Sequence, residues 1–190
     1  MDFLKANFGA ANCATQQRWT EMSKPKPDSS IAASIPMRDF SRSLPMALLR
    51  ARESVMRHFR PSLRAHGLTE QQWRILRALS SHGEIEVTEL AAVACLLGPS
   101  LSRILRDLES RRLIRRRLVK SDLRRSIVAI SDKGVKLIEA VAPSSEAIYA
   151  EIARRFGARK LADLQAMLHL LEGSLMTMPV AGDAGGESDD

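Results

Sequence analysis

Apolar residues recur with a helical period across most of the chain from Leu44 to Met178 and lose it towards both ends. From Leu44 to about Arg64, one stripe carries Leu48, Val55 and Phe59, and a neighbouring one carries Leu49, Met56 and Leu63. Pro45 suits the first turn of this helix. Pro61 is expected to kink or interrupt its end, because proline lacks an N–H and its ring crowds the preceding turn. The next helix has a marked start, with Thr69 as cap, Gln72 completing a capping box, and Leu68 placed to staple against Trp73. Its stripe runs Trp73, Leu76, Leu79, and it stops near Gly83.

Glu84 to Val87 is short and compatible with a small strand, after which Thr88 is expected to cap a brief helix through Leu97. Gly98-Pro99 breaks the chain and restarts it, and proline favours the first helical position, so a helix is expected from Pro99 to about Arg111. Two short helices joined by a tight glycine-containing turn are a helix-turn-helix signature. Ile114–Val119 and Ser126–Ile130 are β-compatible runs around the polar turn Lys120–Arg125 and read as a hairpin. Ser131 then caps a long helical region, roughly Asp132–Phe156, with a bend expected at Pro143. Gly157 separates it from a last helix, in which Leu161, Leu164, Leu168, Leu171 and Leu175 are spaced by three and four as in packed helices.

Only 4% of the residues are aromatic while Leu, Ala and Arg abound, which favours a mainly α fold with a small β-wing over a many-stranded one. A chain of 190 residues can bury one core and carry tails beside it. The expected organisation is a disordered extension over residues 1–42, a domain over 43–178, and an acidic flexible tail over 179–190. Cys13 and Cys95 build no disulfide framework and match no metal spacing. Cys95 falls in an apolar run, where a buried inert thiol is expected. The N-terminal residues are interrupted by Lys5, Asn7 and Asn12, unlike a signal peptide, and no run approaches the roughly 18 apolar residues of a membrane span. A cytoplasmic protein without membrane partners is expected.

Charge sharpens the picture. The net charge is +7, but residues 1–43 hold six bases against four acids and residues 179–190 hold four acids and no base, so residues 44–178 carry +9. Residues 111–125 concentrate eight bases against the single acid Asp122. A clustered positive surface suits a polyanion, because each phosphate neutralised releases counterions. On the helix from Pro99 to Arg111, Leu101, Ile104, Leu105 and Leu108 share one face, while Ser100, Ser102, Arg103 and Arg106 lie off it. Such a helix fits the DNA major groove, where Arg reads guanine and Ser reaches bases or phosphates. The hairpin beside it, with Arg124 and Arg125 among its DNA-binding candidates, is placed as a wing: an arginine at its tip suits the minor groove, while Arg115 and Arg117 share a strand face and suit phosphates. A solvated charged face, or a winged module that binds protein or coats nucleic acid without reading sequence, is the alternative. No nucleotide loop, metal spacing or Ser/His/Asp arrangement points to an enzyme or a cofactor.

In this order of elements the chain resembles the MarR-type transcriptional regulators over roughly Leu44 to Met178. The resemblance rests on Gly67-Leu68-Thr69 with Trp73, on Pro99-Ser100-Leu101-Ser102-Arg103, on Leu113-Ile114-Arg115, and on Asp122-Leu123-Arg124 with Ile127 to Gly134. Within that family, Leu49–Leu63 and Leu96–Leu108 look closest to regulators of homoprotocatechuate and related aromatic-acid catabolism. The resemblance implies a homodimer built by helices over 44–65 and 132–178, with winged lobes over 69–131 reading a pseudo-palindromic operator, usually as a repressor. It makes Arg124 the minor-groove arginine and Asp122 a residue that orients the tip. It also implies a small aromatic carboxylate, or its CoA thioester, as effector, with Arg50, Thr69 and Trp73 at matching positions and Arg52, His58 and His66 as weaker candidates. One departure stands out: where the family commonly has glycine after the recognition helix, this chain has Arg112.

Overall fold

A computed structural model describes residues 40–119 and 122–179. The extension expected over residues 1–42 falls largely outside the described residues, as do Cys13, Lys120 of the expected turn, and all of the expected tail beyond Pro179. The chain divides into two compact units, residues 1–56 and 57–190.

The first unit shows a 3-10 turn at Phe40–Arg42 and then the start of helix α1, Leu44–Ala65. The Ala47 N–H donates to the Ser43 carbonyl at 3.0 Å. Leu48, Leu49 and Val55, from the N-terminal part of the two stripes that mark this helix in sequence, are exposed.

The second unit takes in the rest of α1, where Phe59 and Leu63 are buried. Pro61 lies inside this helix, which runs on to Ala65, so of the expected kink or interruption the interruption does not occur. An interior proline costs about 3 kcal/mol. The buried neighbours two residues to each side, Phe59 at 5% exposure and Leu63 at 2%, offset that cost. Phe59 also meets Tyr149 edge to face, with ring centroids 5.1 Å apart.

Helix α2, Glu70–His82, starts where the sequence places it. The Gln72 N–H donates to the Thr69 hydroxyl at 3.2 Å, and the Thr69 N–H donates to the Gln72 side-chain oxygen at 2.8 Å. The short strand β1, Ile85–Glu86, leads into α3, Val87–Val93, and a break precedes α4, Gly98–Ser110. Two expectations fail here. Thr88 does not cap α3; Glu86 takes the cap position with no side-chain cap bond, its carboxylate being engaged by Arg125. The helix ends at Val93 and does not reach Leu97. It ends early because Cys95 turns left-handed, with φ +48°, so its thiol is exposed and the expected burial does not hold.

Strands β2, Ile114–Val119, and β3, Asp122–Ile130, form the hairpin, and β1 pairs with the far side of β3 to give an antiparallel sheet in the order β1-β3-β2. β3 starts at Asp122, so the turn is shorter than Lys120–Arg125. Its register sets Ile114 opposite Ile130, Arg116 opposite Val128 and Arg117 opposite Ile127, with an irregularity between Leu118 and Val119. Ile114, Val128 and Ile85 therefore share the core face.

Helix α5, Asp132–Phe156, is capped by Ser131 as expected and runs through Pro143, with buried Val141 and Ser145 on either side of it. Helix α6, Ala158–Met176, follows Gly157 and buries none of its residues. Among the described residues no single helix is long and apolar enough to cross a membrane.

Candidate nucleic-acid interface

Helices α3 and α4 meet at 107°, within the range of a helix-turn-helix. The turn is held from outside: the Arg74 guanidinium, on α2, donates to the Ala94 carbonyl at 2.8 Å and to that of Cys95 at 3.5 Å. These carbonyls end α3 and have no helical partner, so a cation suits them. Sequence reading passed over Arg74, which looks like one more charge on an amphipathic helix.

The apolar face of α4 is fully used. Leu101, Leu105 and Leu108 are completely buried and Ile104 nearly so. At roughly 1.5–3 kcal/mol for each aliphatic side chain, this seam fixes the rotation of α4 about its axis. The opposite face is thereby presented to solvent: Ser102, Arg103 and Arg106 are exposed and Ser100 is half-buried. A second tether fixes α4 from α2, where the Gln72 side chain donates to the Asp107 carboxylate at 2.7 Å.

The junction between α4 and the wing is the departure noted above. Arg112 is left-handed at φ +60°, the conformation for which glycine is usual. Here it is stabilised by its surroundings. The Ser131 hydroxyl donates to the Arg112 carbonyl at 2.7 Å, Lys133 Nζ donates to that of Arg111 at 2.9 Å, and the Ser131 N–H donates to that of Leu113 at 3.0 Å.

On the sheet, alternation puts Arg115, Arg117 and Arg125 on the face away from the core, together with Glu86. These arginines are not equivalent. Arg117 Nη2 donates to Glu84 Oε2 at 2.7 Å, and Arg125 pairs with Glu86. Arg115 is exposed, as are Arg116 and Arg103, and none of the three has a carboxylate within ion-pair distance among the described residues. Arg116 was not singled out in the sequence; its register opposite the buried Val128 puts it on the core face, yet it reaches solvent. Arg124 lies on β3, two residues past its start at Asp122.

The effector candidates are placed as follows. Thr69 spends its hydroxyl oxygen on the cap, and Trp73 is half-buried one turn later, its N–H donating to the Thr69 carbonyl at 3.0 Å. Arg77 sets its guanidinium carbon 6.0 Å from the Trp73 ring centroid, a cation beside an aromatic wall that the sequence did not single out. His66 is half-buried, with Nδ1 2.9 Å from the Ser62 carbonyl. His58 is also half-buried and accepts from Arg57 Nε at 3.4 Å. Partial burial first, and then Arg57 and Arg155, hold its pKa below the usual imidazole value. In the first unit, Arg50 Nε donates to the Met46 carbonyl at 3.3 Å, and Arg52 pairs with Glu53 at 2.7 Å.

A family model described as the MarR family matches residues 68–126. The homoprotocatechuate degradative operon repressor of Escherichia coli is 39% identical over 130 residues, which span 68% of this chain and 86% of that protein. Among solved structures, NadR in complex with 4-hydroxyphenylacetate has a TM-score of 0.64 at 35% identity, over 72% of this chain and 97% of that one. The transcriptional repressor CouR bound to a 23-mer DNA duplex also has a TM-score of 0.64, at 26% identity, over 74% of this chain and 99% of that one.

Proposed function

Because the chain belongs to the MarR family, we propose that it is a homodimeric, DNA-binding transcriptional repressor of an aromatic-acid catabolic operon, released from its operator by an aromatic carboxylate or its CoA thioester. The observation that carries this reading is the fixed rotation of α4. Four buried aliphatic side chains leave Ser102, Arg103 and Arg106 outward, beside the unpaired Arg115 and Arg116. α4 enters the major groove with Ser100, Ser102, Arg103 and Arg106 at the bases and nearest phosphates. Arg115 and Arg116 hold phosphates, and Arg124 is the minor-groove residue.

The second copy is expected along α1 and α6. Leu48 and Leu49 on α1, and Leu164, Leu168 and Leu175 on α6, are exposed although their spacing is that of a packed seam. The lobe that binds DNA spans residues 69–131, and the dimerisation helices span 44–65 and 132–178. A cytoplasmic location belongs to the same proposal, as the compartment of the DNA the protein would bind. The apolar wall for an aromatic ring is Trp73, with Thr69 beside it; His66, Arg50 and Arg52 are the remaining candidates for polar contact. Effector binding shifts the dimer towards a geometry that does not span both half-sites.

The test is binding to inverted repeats in the DNA upstream of the protein's own gene, at several salt concentrations, with and without 4-hydroxyphenylacetate. Tight, salt-sensitive binding that the acid weakens is expected. Equal affinity for a scrambled duplex would refute sequence-specific regulation. A thermal-shift panel of hydroxybenzoates, phenylacetates, cinnamates and their CoA thioesters identifies the effector, and no stabilisation by any of them would refute the aromatic-acid class.

A further inference from the structure

Two of the wing arginines already hold an anion. Glu84 and Glu86 flank and form β1, the strand on the opposite edge of the sheet from β2, and their carboxylates engage Arg117 and Arg125 on the face away from the core. Arg115 on that face, and Arg103 and Arg116 nearby, have no such partner among the described residues. The Arg117 and Glu84 side chains are 58% and 57% accessible; Arg125 is 56% accessible, while Glu86, at 26%, is half-buried. Both arginines therefore reach solvent, and each can exchange its carboxylate for another anion.

We propose that Glu84 and Glu86 set the protein's overall affinity for DNA, acting as internal competitors with phosphates for Arg117 and Arg125. The inference rests on the DNA-binding reading above. An arginine paired at 2.7 Å gives up its carboxylate only to a phosphate that arrives at a similar distance and in a compatible orientation. On a well-docked operator the phosphates are so placed, and the exchange goes forward. On a mismatched duplex the phosphates are farther off, the arginines stay paired, and their contribution to binding is lost. The acids thus subtract the cost of parting each pair from operator binding and the forgone phosphate contact from non-specific binding, lowering both. Pairs of this exposure are weak, which keeps the device reversible and sets its scale.

The experiment compares the wild-type full-length protein with Glu84→Gln, Glu86→Gln and the double variant. Each is titrated with its upstream operator duplex and with a scrambled duplex over a range of salt. Affinity for the scrambled duplex is expected to rise about two- to fivefold per carboxylate removed. Its salt dependence should steepen by up to about 0.9 in log–log slope per arginine freed. Operator affinity should rise by at least as much, so that the ratio between the two duplexes does not fall. The gain from Glu84→Gln should vanish when Arg117 is also replaced by Gln. Unchanged slopes and unchanged affinities for both duplexes would overturn the proposal. So would a lowered melting temperature with no change in slope, since that is what a purely structural ion pair gives. Failure of the wild-type protein to bind any duplex would instead overturn the DNA-binding reading itself.

Discussion

The Ser131 hydroxyl donates to the Arg112 carbonyl at 2.7 Å while accepting from the Gly134 N–H at 3.1 Å. One side chain thus caps α5 and secures the left-handed residue that ends the α4-to-wing junction. Replacing Ser131 by Ala removes the cap and strands the Arg112 carbonyl. A loss of about 1–2 kcal/mol is expected, read as a lower midpoint in urea unfolding. Gly134 packs so closely that an added Cβ would overlap the Leu113 carbonyl oxygen and lie 2.7 Å from an Ile130 side-chain carbon. Gly134→Ala should therefore cost more than Ser131→Ala, despite being the smaller chemical change.

Arg112 itself carries a conformational cost, because a side chain at φ +60° is disfavoured by roughly 1–2 kcal/mol relative to the ordinary helical region. Glycine removes that cost and returns part of the gain as unfolded-state entropy. Arg112→Gly is expected to raise stability by up to about 1 kcal/mol in the same urea assay. A lower midpoint would mean that the guanidinium makes a compensating contact.

The unpaired arginines should separate into two kinds. Arg103→Ala, on the outward face of α4, is expected to cost operator affinity about 1–3 kcal/mol and to relax discrimination at one base position. Arg116→Ala should weaken all duplexes alike and reduce the salt slope by about 0.9. Arg124→Ala should weaken operator binding while the dimer stays intact. Competition titrations against single-base operator variants distinguish these patterns.

Leu164 and Leu168 lie one turn apart on α6 and are 38% and 39% exposed, although aliphatic side chains in a regular seam call for a cover. Replacing either by Glu is expected to shift sedimentation towards the monomer and abolish operator binding, while leaving the helical circular-dichroism signal of the lobe. A dimer unaffected by both changes would place the interface elsewhere.

His58 contributes a pH dependence of definite sign. Its folded-state pKa lies below the usual imidazole value of 6.5, because partial burial and then Arg57 and Arg155 disfavour the imidazolium. On acidification the unfolded chain takes the proton first. This stability is present above about pH 6.5 and is lost as pH falls through the lowered folded value. Melting temperatures measured between pH 8 and pH 5 should fall on the acid side, and His58→Gln should flatten that part of the curve.

The elements that sequence placed well are those whose causes are local. Thr69 with Gln72, and Ser131 before its helix, announce caps because the bonds they make close within three residues. The α4 wheel was legible because Leu101, Ile104, Leu105 and Leu108 recur at helical spacing. Failures arose where a local cue met a distant partner. Pro61 reads as a kink or an interruption, yet flanking burial carries the helix through it to Ala65. Glu86 stands at a cap position but bonds Arg125, 39 residues away, and Thr88 supplies no cap in its place. Cys95 reads as buried because its neighbours are apolar, whereas its positive φ turns it out of the helix.

By itself, the sequence determined the periodicity, the caps, the break at Gly98-Pro99 and the density of arginine from Arg111 to Arg125, because each depends on residues within a few positions. These suffice for a helix-turn-helix with a basic hairpin. Only the tertiary structure decided which of those arginines are free. The sheet order brings Glu84 and Glu86 against Arg117 and Arg125 and leaves Arg115 and Arg116 without an acid among the described residues. Charge density is a property of composition, but charge availability depends on which strands lie side by side.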